Sequence, residues 1–238
     1  MILCTICARG GSKGVKAKNL RLLCGEPLIA WTIKQALRWG KADYVVVSTD
    51  SPEIAETARS YGALVPFLRP AELATDRAPK LPVIQHAVRF MEHSTRANVD
   101  YVVDLDPTSP LRQVTDIEEA WRLLVDRRDA NNIYSVCRAK KSPYFNMVEV
   151  NCNGYAELSK QPPSAVVRRQ DAPTVYEMNA SIYIYRKEFL LEADSIHSDK
   201  TLVYEMPVER SIDIDTEVDL KLVELLMRER KSLLNEKL

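Results

Sequence analysis

The sequence predicts an α/β protein with a mostly parallel central sheet and helices on both faces. Three observations lead there. Residues 2–8 (ILCTICA), 44–48 (YVVVS) and 101–105 (YVVDL) are continuous apolar runs, the character of strands buried on both sides. Segments with apolar residues at helical spacing separate these runs. Their alternation is the pattern of parallel strands joined by crossover helices. The chain has 238 residues, and a single α/β domain can reach ~250.

Residues 2–8 form the first expected strand. Residues 27–39 carry Ile29, Ile33 and Leu37 one helical turn apart and read as a helix. After the strand at 44–48, Ser51-Pro52 is a helix start, a capping hydroxyl followed by proline at the first helical position. That helix continues over 54–61 and ends at Gly62. Residues 64–68 read as a short strand. Residues 83–91 read as a helix with Ile84, Val88 and Met91 on one face. Past the strand at 101–105, Thr115-Asp116-Ile117-Glu118 reads as a capping box. It opens a helix that turns Ile117, Ala120, Trp121 and Leu124 inward. A strand at 132–137 follows, then a hairpin at 147–158 turning at Asn153-Gly154. A strand at 181–185 and a short helix at 187–192 come next. The last element is an amphipathic helix at 218–230 with Val218, Leu222, Leu225 and Leu226 on one side. No repeat or linker divides the chain, so residues 1–238 are expected as one domain. The proline-rich stretch 160–173 is expected to be a mobile loop or an interface arm.

Composition narrows the function. Lys+Arg and Asp+Glu both number 33, which argues against a general nucleic-acid or membrane-surface binder. No apolar run reaches the ~18 residues of a membrane span. The five cysteines are scattered and odd in number, as expected of a reduced cytoplasmic protein. Cys4 and Cys7 form a C-x-x-C within the first strand, but residues three apart on a strand face opposite sides and cannot share a metal. His86, His93 and His197 read as surface or packing residues.

Ligands of such sheets bind at the carboxyl ends of the strands. Ala8, Asp50 and Asp104–Asp106 stand at such ends. The loop leaving the first strand carries Arg9, Gly10, Gly11, Ser12, Lys13, Lys16 and Lys18. Its two glycines allow close backbone approach to a ligand, and Arg9, Lys13 and Lys18 supply positive charge. A triphosphate is the natural partner; a solvated surface loop is the plain alternative. Neither G-x-x-x-x-G-K-[ST] nor G-x-G-x-x-G is present.

Two carboxylate pairs stand out. In Ser211-Ile212-Asp213-Ile214-Asp215, extended backbone puts Asp213 and Asp215 on one face, a pairing that suits Mg²⁺ together with substrate phosphates. Capping of the last helix by Asp215 is the alternative. Asp104 and Asp106 form a D-x-D like that of metal-dependent glycosyltransferases, or serve a structural role at a strand end.

Seven segments in register resemble the CMP-sialic acid synthetases, the acylneuraminate cytidylyltransferases. They are ARGGSKG–KN at 8–19, VSTD at 47–50, RPAELATD at 69–76, PTSPLR at 107–112, RRQ at 168–170, NASIY at 179–183 and SIDIDTE–DL at 211–220. The resemblance implies a Rossmann-like nucleotidyltransferase fold and a homodimer with a protruding arm at about 140–178. It implies a reaction joining CTP to an acidic nine-carbon 2-keto sugar, with pyrophosphate released. By carry-over, Ala8, Arg9, Gly10, Gly11, Ser12, Lys18 and Asn19 hold the triphosphate, and Arg69, Asp76 and Lys80 serve the nucleotide. Asp106, Thr108, Ser109, Arg169, Tyr176 and Asn179 lie on the sugar side. Asp213 and Asp215 bind Mg²⁺, and with Arg9 and Lys18 they form the expected catalytic set.

Three positions depart from the sialic acid enzymes. Asp106 stands where they commonly have glutamine, Phe145 where some have lysine, and Glu177 where an arginine can stand. All three make the expected sugar side less cationic or more anionic. An ionised carboxylate only accepts hydrogen bonds, so Asp106 suits an N–H donor. Legionaminic-type sugars carry a second acylamino group where sialic acid has a hydroxyl. Activation of Kdo, an eight-carbon acid, and a glycosyltransferase using Asp104 and Asp106 are the competing readings.

Overall fold

The computed structural model describes residues 1–12, 14–161 and 168–235. Lys13 of the first loop and residues 162–167 of the proline-rich stretch lie outside them.

The elements run β1 (Ile2–Cys7), β2 (Leu22–Leu23), β3 (Glu26–Pro27), α1 (Leu28–Trp39), β4 (Tyr44–Ser48), α2 (Pro52–Ser60), α3 (Lys80–Thr95), β5 (Tyr101–Leu105) and α4 (Val114–Asp126). Then come β6 (Asn132–Arg138), β7 (Val148–Val150), β8 (Ala156–Leu158), β9 (Tyr176–Arg186), α5 (Lys187–Glu192), β10 (Thr201–Glu205) and α6 (Glu217–Asn235). Six strands form one sheet in the order β10-β6-β9-β5-β1-β4. All run parallel except β9, which is antiparallel to both β5 and β6.

Side chains alternate across the sheet. On one face Cys4, Ile6, Val103 and Leu105 meet Ile29 and Ile33 of α1, Ile54 and Ala58 of α2, and Ile117, Ala120 and Leu124 of α4. On the other, Leu3 and Val102 meet Ile84, Val88 and Met91 of α3 and Leu190 of α5. Cys4 and Cys7 therefore pack on opposite faces, and both thiols are free. A third cluster joins Val15, Leu23, Leu28, Leu111 and Ile214 to Leu220 and Val223 of α6.

Several expectations are corrected. Residues 64–68 make a single parallel bridge, Leu64 to Val46, and the chain bends at Phe67. The box before α4 starts at Gln113, whose N–H donates to Asp116 Oδ2 at 2.7 Å. Thr115 already lies inside the helix. On α1, Leu37 is exposed. On α6 the buried side chains are Leu220 and Val223, with Leu226 partly buried, whereas Val218, Leu222 and Leu225 face solvent. The hairpin forms as expected, β7 against β8, as a separate two-stranded sheet within 140–178. Among the described residues no helix is long and apolar enough to cross a membrane.

Candidate active site

The loop after β1 and the segment 211–215 fold onto each other at the carboxyl ends of the strands. Lys18 Nζ donates to Ile214 O at 2.6 Å and to Asp215 Oδ1 at 3.2 Å. Asn19 Nδ2 donates to Arg9 O at 3.0 Å and ties the two ends of the loop together. A Cβ on Gly14 would sit 2.0 Å from Asp215 O, so only glycine lets the loop lie this close.

Along 211–215 the expected alternation holds: Ile214 is buried in the third cluster, while 73% of the Asp215 side chain is exposed. Asp215 does not cap α6. Thr216 does, its Oγ1 accepting from Asp219 N at 3.3 Å while Asp219 Oδ2 accepts from Thr216 N at 2.7 Å. Asp213 is half-buried and its Oδ1 has no hydrogen-bond partner among the described residues. Burial pushes its carboxyl up to about 6, with neighbouring Asp106 and Asp215 adding to the shift against Thr108 and Lys18.

The phosphate-side residues are partly engaged with one another. Gly10 N–H donates to Asp50 Oδ1 at 2.8 Å, so it anchors the loop to the end of β4. Gly11 is exposed, and a methyl group there would meet nothing within 4 Å. Ala8 is buried and donates to Ser48 O at 3.0 Å; Ser12 is half-buried. Arg9 Nη1 reaches Asp76 Oδ1 at 3.0 Å and Thr75 O at 3.2 Å, bridging two loops across the crevice. Arg69 is buried, its Nε donating to Ser48 Oγ at 3.1 Å and its Nη2 to Ser48 O. It braces the end of β4.

Lys80 is expected on the nucleotide side. It opens α3 and reaches Asp104 Oδ2 at 2.8 Å and Asp106 Oδ2 at 2.9 Å. Burial lowers its pKa, but Asp104 and Asp106 outweigh that and hold it well above the usual lysine value. The D-x-D thus already carries an internal cation. Asp106 Oδ1 accepts from Thr108 N at 3.2 Å and Thr108 Oγ1 at 2.7 Å, closing the turn into the PTSP segment. Lys80 and Thr108 keep the Asp106 carboxyl low against the opposing effect of burial.

Of the expected sugar-side residues, Ser109 and Asn179 are buried. Ser109 Oγ donates to Asn179 O at 3.4 Å. Asn179 Oδ1 accepts from Ser135 Oγ at 2.6 Å, and its Nδ2 donates to Ser211 Oγ at 2.9 Å. Asn179 therefore braces β6 against the segment leading to Asp213. Tyr176 is exposed at the start of β9. Arg169 lies in a short helical turn. Glu177 accepts from Lys140 N at 3.0 Å, and Phe145 is exposed.

Sequence reasoning did not single out Gly14, Arg112 or Ala180. Arg112 is buried and donates through Nη1 to Ser181 O at 2.6 Å. Its Nη2 donates to Thr32 Oγ1 at 3.1 Å and Gln35 Oε1 at 2.9 Å. It locks β9, α1 and the PTSP turn together, and burial lowers its pKa to about 10. Ala180 has φ 50°, where β9 slips register against β6 between Tyr134 and Val136. This is a bulge next to the crevice.

A glycine-containing loop thus packs on a segment bearing two carboxylates at the strand ends. Residues 3–236 match the family model described as cytidylyltransferase, and the chain belongs to that family. It is 43% identical over 226 residues to a CMP-N,N'-diacetyllegionaminic acid synthase of Campylobacter jejuni, covering 95% of this chain and 94% of the relative. It is 34% identical over 221 residues to an N-acylneuraminate cytidylyltransferase of Escherichia coli, covering 93% of this chain and 51% of the relative. A solved CMP:2-keto-3-deoxy-manno-octonic acid synthetase in complex with CTP shares the fold at TM-score 0.68 and 19% identity, over 96% of this chain and 99% of that one. The octonic acid enzymes are thus fold neighbours.

Proposed function

We propose that this enzyme joins CTP to a nine-carbon 2-keto acid sugar, giving the CMP-sugar and pyrophosphate, and that a legionaminic-type acid is the preferred acceptor. The observation that carries the reading is the 43% identity to the legionaminic acid synthase along nearly the whole of both chains. Asp106 in place of glutamine supports the same acceptor.

The anomeric hydroxyl attacks the α-phosphate in line and pyrophosphate leaves. Positioning and charge stabilisation do most of the work in such a step. Lys18 neutralises phosphate charge from the floor of the crevice. Arg9 is close enough to join it by leaving Asp76. Gly11 offers the exposed backbone against which phosphate oxygens can lie.

The residues fit a divalent cation. A buried carboxylate oxygen without a donor among the described residues, Asp213 Oδ1, stands near exposed Asp215. Among the described residues no group of three or more His, Cys, Asp or Glu could hold a metal. Mg²⁺ takes one or two carboxylates plus phosphate oxygens. Asp213 and Asp215 would hold it, and when bound it supplies charge neutralisation at the phosphates.

The assembly we propose is a homodimer joined through the 140–178 arm, whose Val148, Val150 and Tyr155 are exposed. The five unpaired cysteines support a cytoplasmic setting. The test is pyrophosphate release from CTP and Mg²⁺, with the nucleotide product identified by mass. Release that depends on a nine-carbon acid and yields its CMP adduct supports the reading; release with Kdo alone contradicts it.

A further inference from the structure

We propose that Lys80 is a positioning residue for the acceptor sugar, locking the Asp106 carboxylate so that one oxygen lone pair faces the crevice. The inference rests on the nonulosonate reading above. It reassigns Lys80 from the nucleotide to the sugar.

The geometry counts the lone pairs. Asp106 Oδ1 takes two donors from Thr108 and is filled. Asp106 Oδ2 takes Lys80 at 2.9 Å and keeps one lone pair. Asp104 anchors the lysine from behind at 2.8 Å. It is fully buried, with Thr5 Oγ1 donating to its Oδ1 at 2.7 Å. The Tyr183 ring lies 4.3 Å from Lys80 Nζ. Lys80 keeps 27% of its side chain exposed and Asp106 21%, so both stay accessible to a ligand where Asp104 does not.

Position in the sheet sets which substrate they meet. The phosphate loop leaves β1, and Arg69 braces β4. Asp104, Asp106 and Tyr183 belong to β5, its end and β9, on the opposite side of β1 from β4. Lys80 is also the first residue of α3, where a cation opposes the helix dipole. Helix stability does not explain it. A second carboxylate beside two anionic substrates would repel them, and Lys80 offsets that charge while fixing the acceptor oxygen. A neutral glutamine at 106 would need no such partner.

The test is steady-state kinetics of the full-length enzyme and its Lys80→Met, Lys80→Arg and Asp106→Asn variants, with CTP, Mg²⁺ and di-N-acetyllegionaminate. Lys80→Met is expected to raise KM for the sugar about tenfold, the effect of losing one charge-assisted hydrogen bond. KM for CTP should stay within about twofold. Lys80→Arg keeps a cation between the carboxylates and should restore most of the sugar KM. If Lys80→Met does not fold, Asp106→Asn should show the same sugar-KM defect. A rise confined to the CTP KM, or an unchanged sugar KM in Lys80→Met or Asp106→Asn, overturns the inference while the parent enzyme remains active. A parent enzyme inactive with every nine-carbon acid overturns the functional reading and the inference together.

Discussion

Asp213 is a half-buried carboxylate near other acids, and its raised pKa has a cost. Its carboxyl sits at about 6 in the folded chain and near ~3.9 when unfolded. Between these values the folded state binds more protons, so its contribution to stability falls as pH rises from about 4 to about 6. The full cost, at most about 3 kcal/mol, is present above that window. Asp213→Asn should remove this slope, raise the metal-free melting temperature at pH 7.5 relative to the parent, and abolish turnover. Melting curves from pH 4 to 8 check it; a variant as active as the parent would sink the metal assignment. Gly14 belongs to the same contact. Gly14→Ala should cost about 1–3 kcal/mol and reduce pyrophosphate release at least about tenfold, because its methyl meets Asp215 O. Denaturant midpoints and initial rates measure both. The need for glycine here was invisible in sequence, since the backbone it meets lies at position 215.

Strand β9 holds a left-handed residue within its length. Ala180 holds a left-handed conformation that costs a side-chain-bearing residue roughly 1–2 kcal/mol. The bulge lets Ser135 Oγ reach both Asn179 Oδ1 and Ile182 N–H, the latter at 2.8 Å. Ala180→Gly should be neutral or stabilising by up to about 1 kcal/mol, and Ala180→Val destabilising by about 1–3 kcal/mol. Urea denaturation separates them; equal midpoints would contradict the bulge. The NASIY segment was legible as important, but not why. Its asparagine read as a ligand contact, and its hydrogen bonds to Ser135 and Ser211 had no signal in the sequence. The apolar spacing on α6 misled for a related reason. Val218, Leu222 and Leu225 share a helical face, but the residues that meet Ile214 and Leu111 are Leu220 and Val223. Periodicity finds a face without saying what covers it.

Across the whole molecule, the alternation of strands and helices was enough to read a two-faced α/β sheet and the crevice at its strand ends. It did not reveal that β9 runs antiparallel, because a buried strand is apolar whichever way it points. Nor did it reveal that Lys80 crosses to Asp104 and Asp106, a pairing between the first residue of α3 and the end of β5. The proposed arm-mediated dimer predicts twice the 27.0 kDa chain mass by light scattering, falling toward one chain in Val148→Asp/Val150→Asp. Dimers unaffected by that change would place the interface elsewhere. The most direct test of the account is a competition. Equal di-N-acetyllegionaminate and N-acetylneuraminate are offered with limiting CTP and Mg²⁺, and the two CMP-sugars are quantified. The account predicts that CMP-legionaminate dominates; a dominant CMP-neuraminate, or CTP left unconsumed, would contradict it.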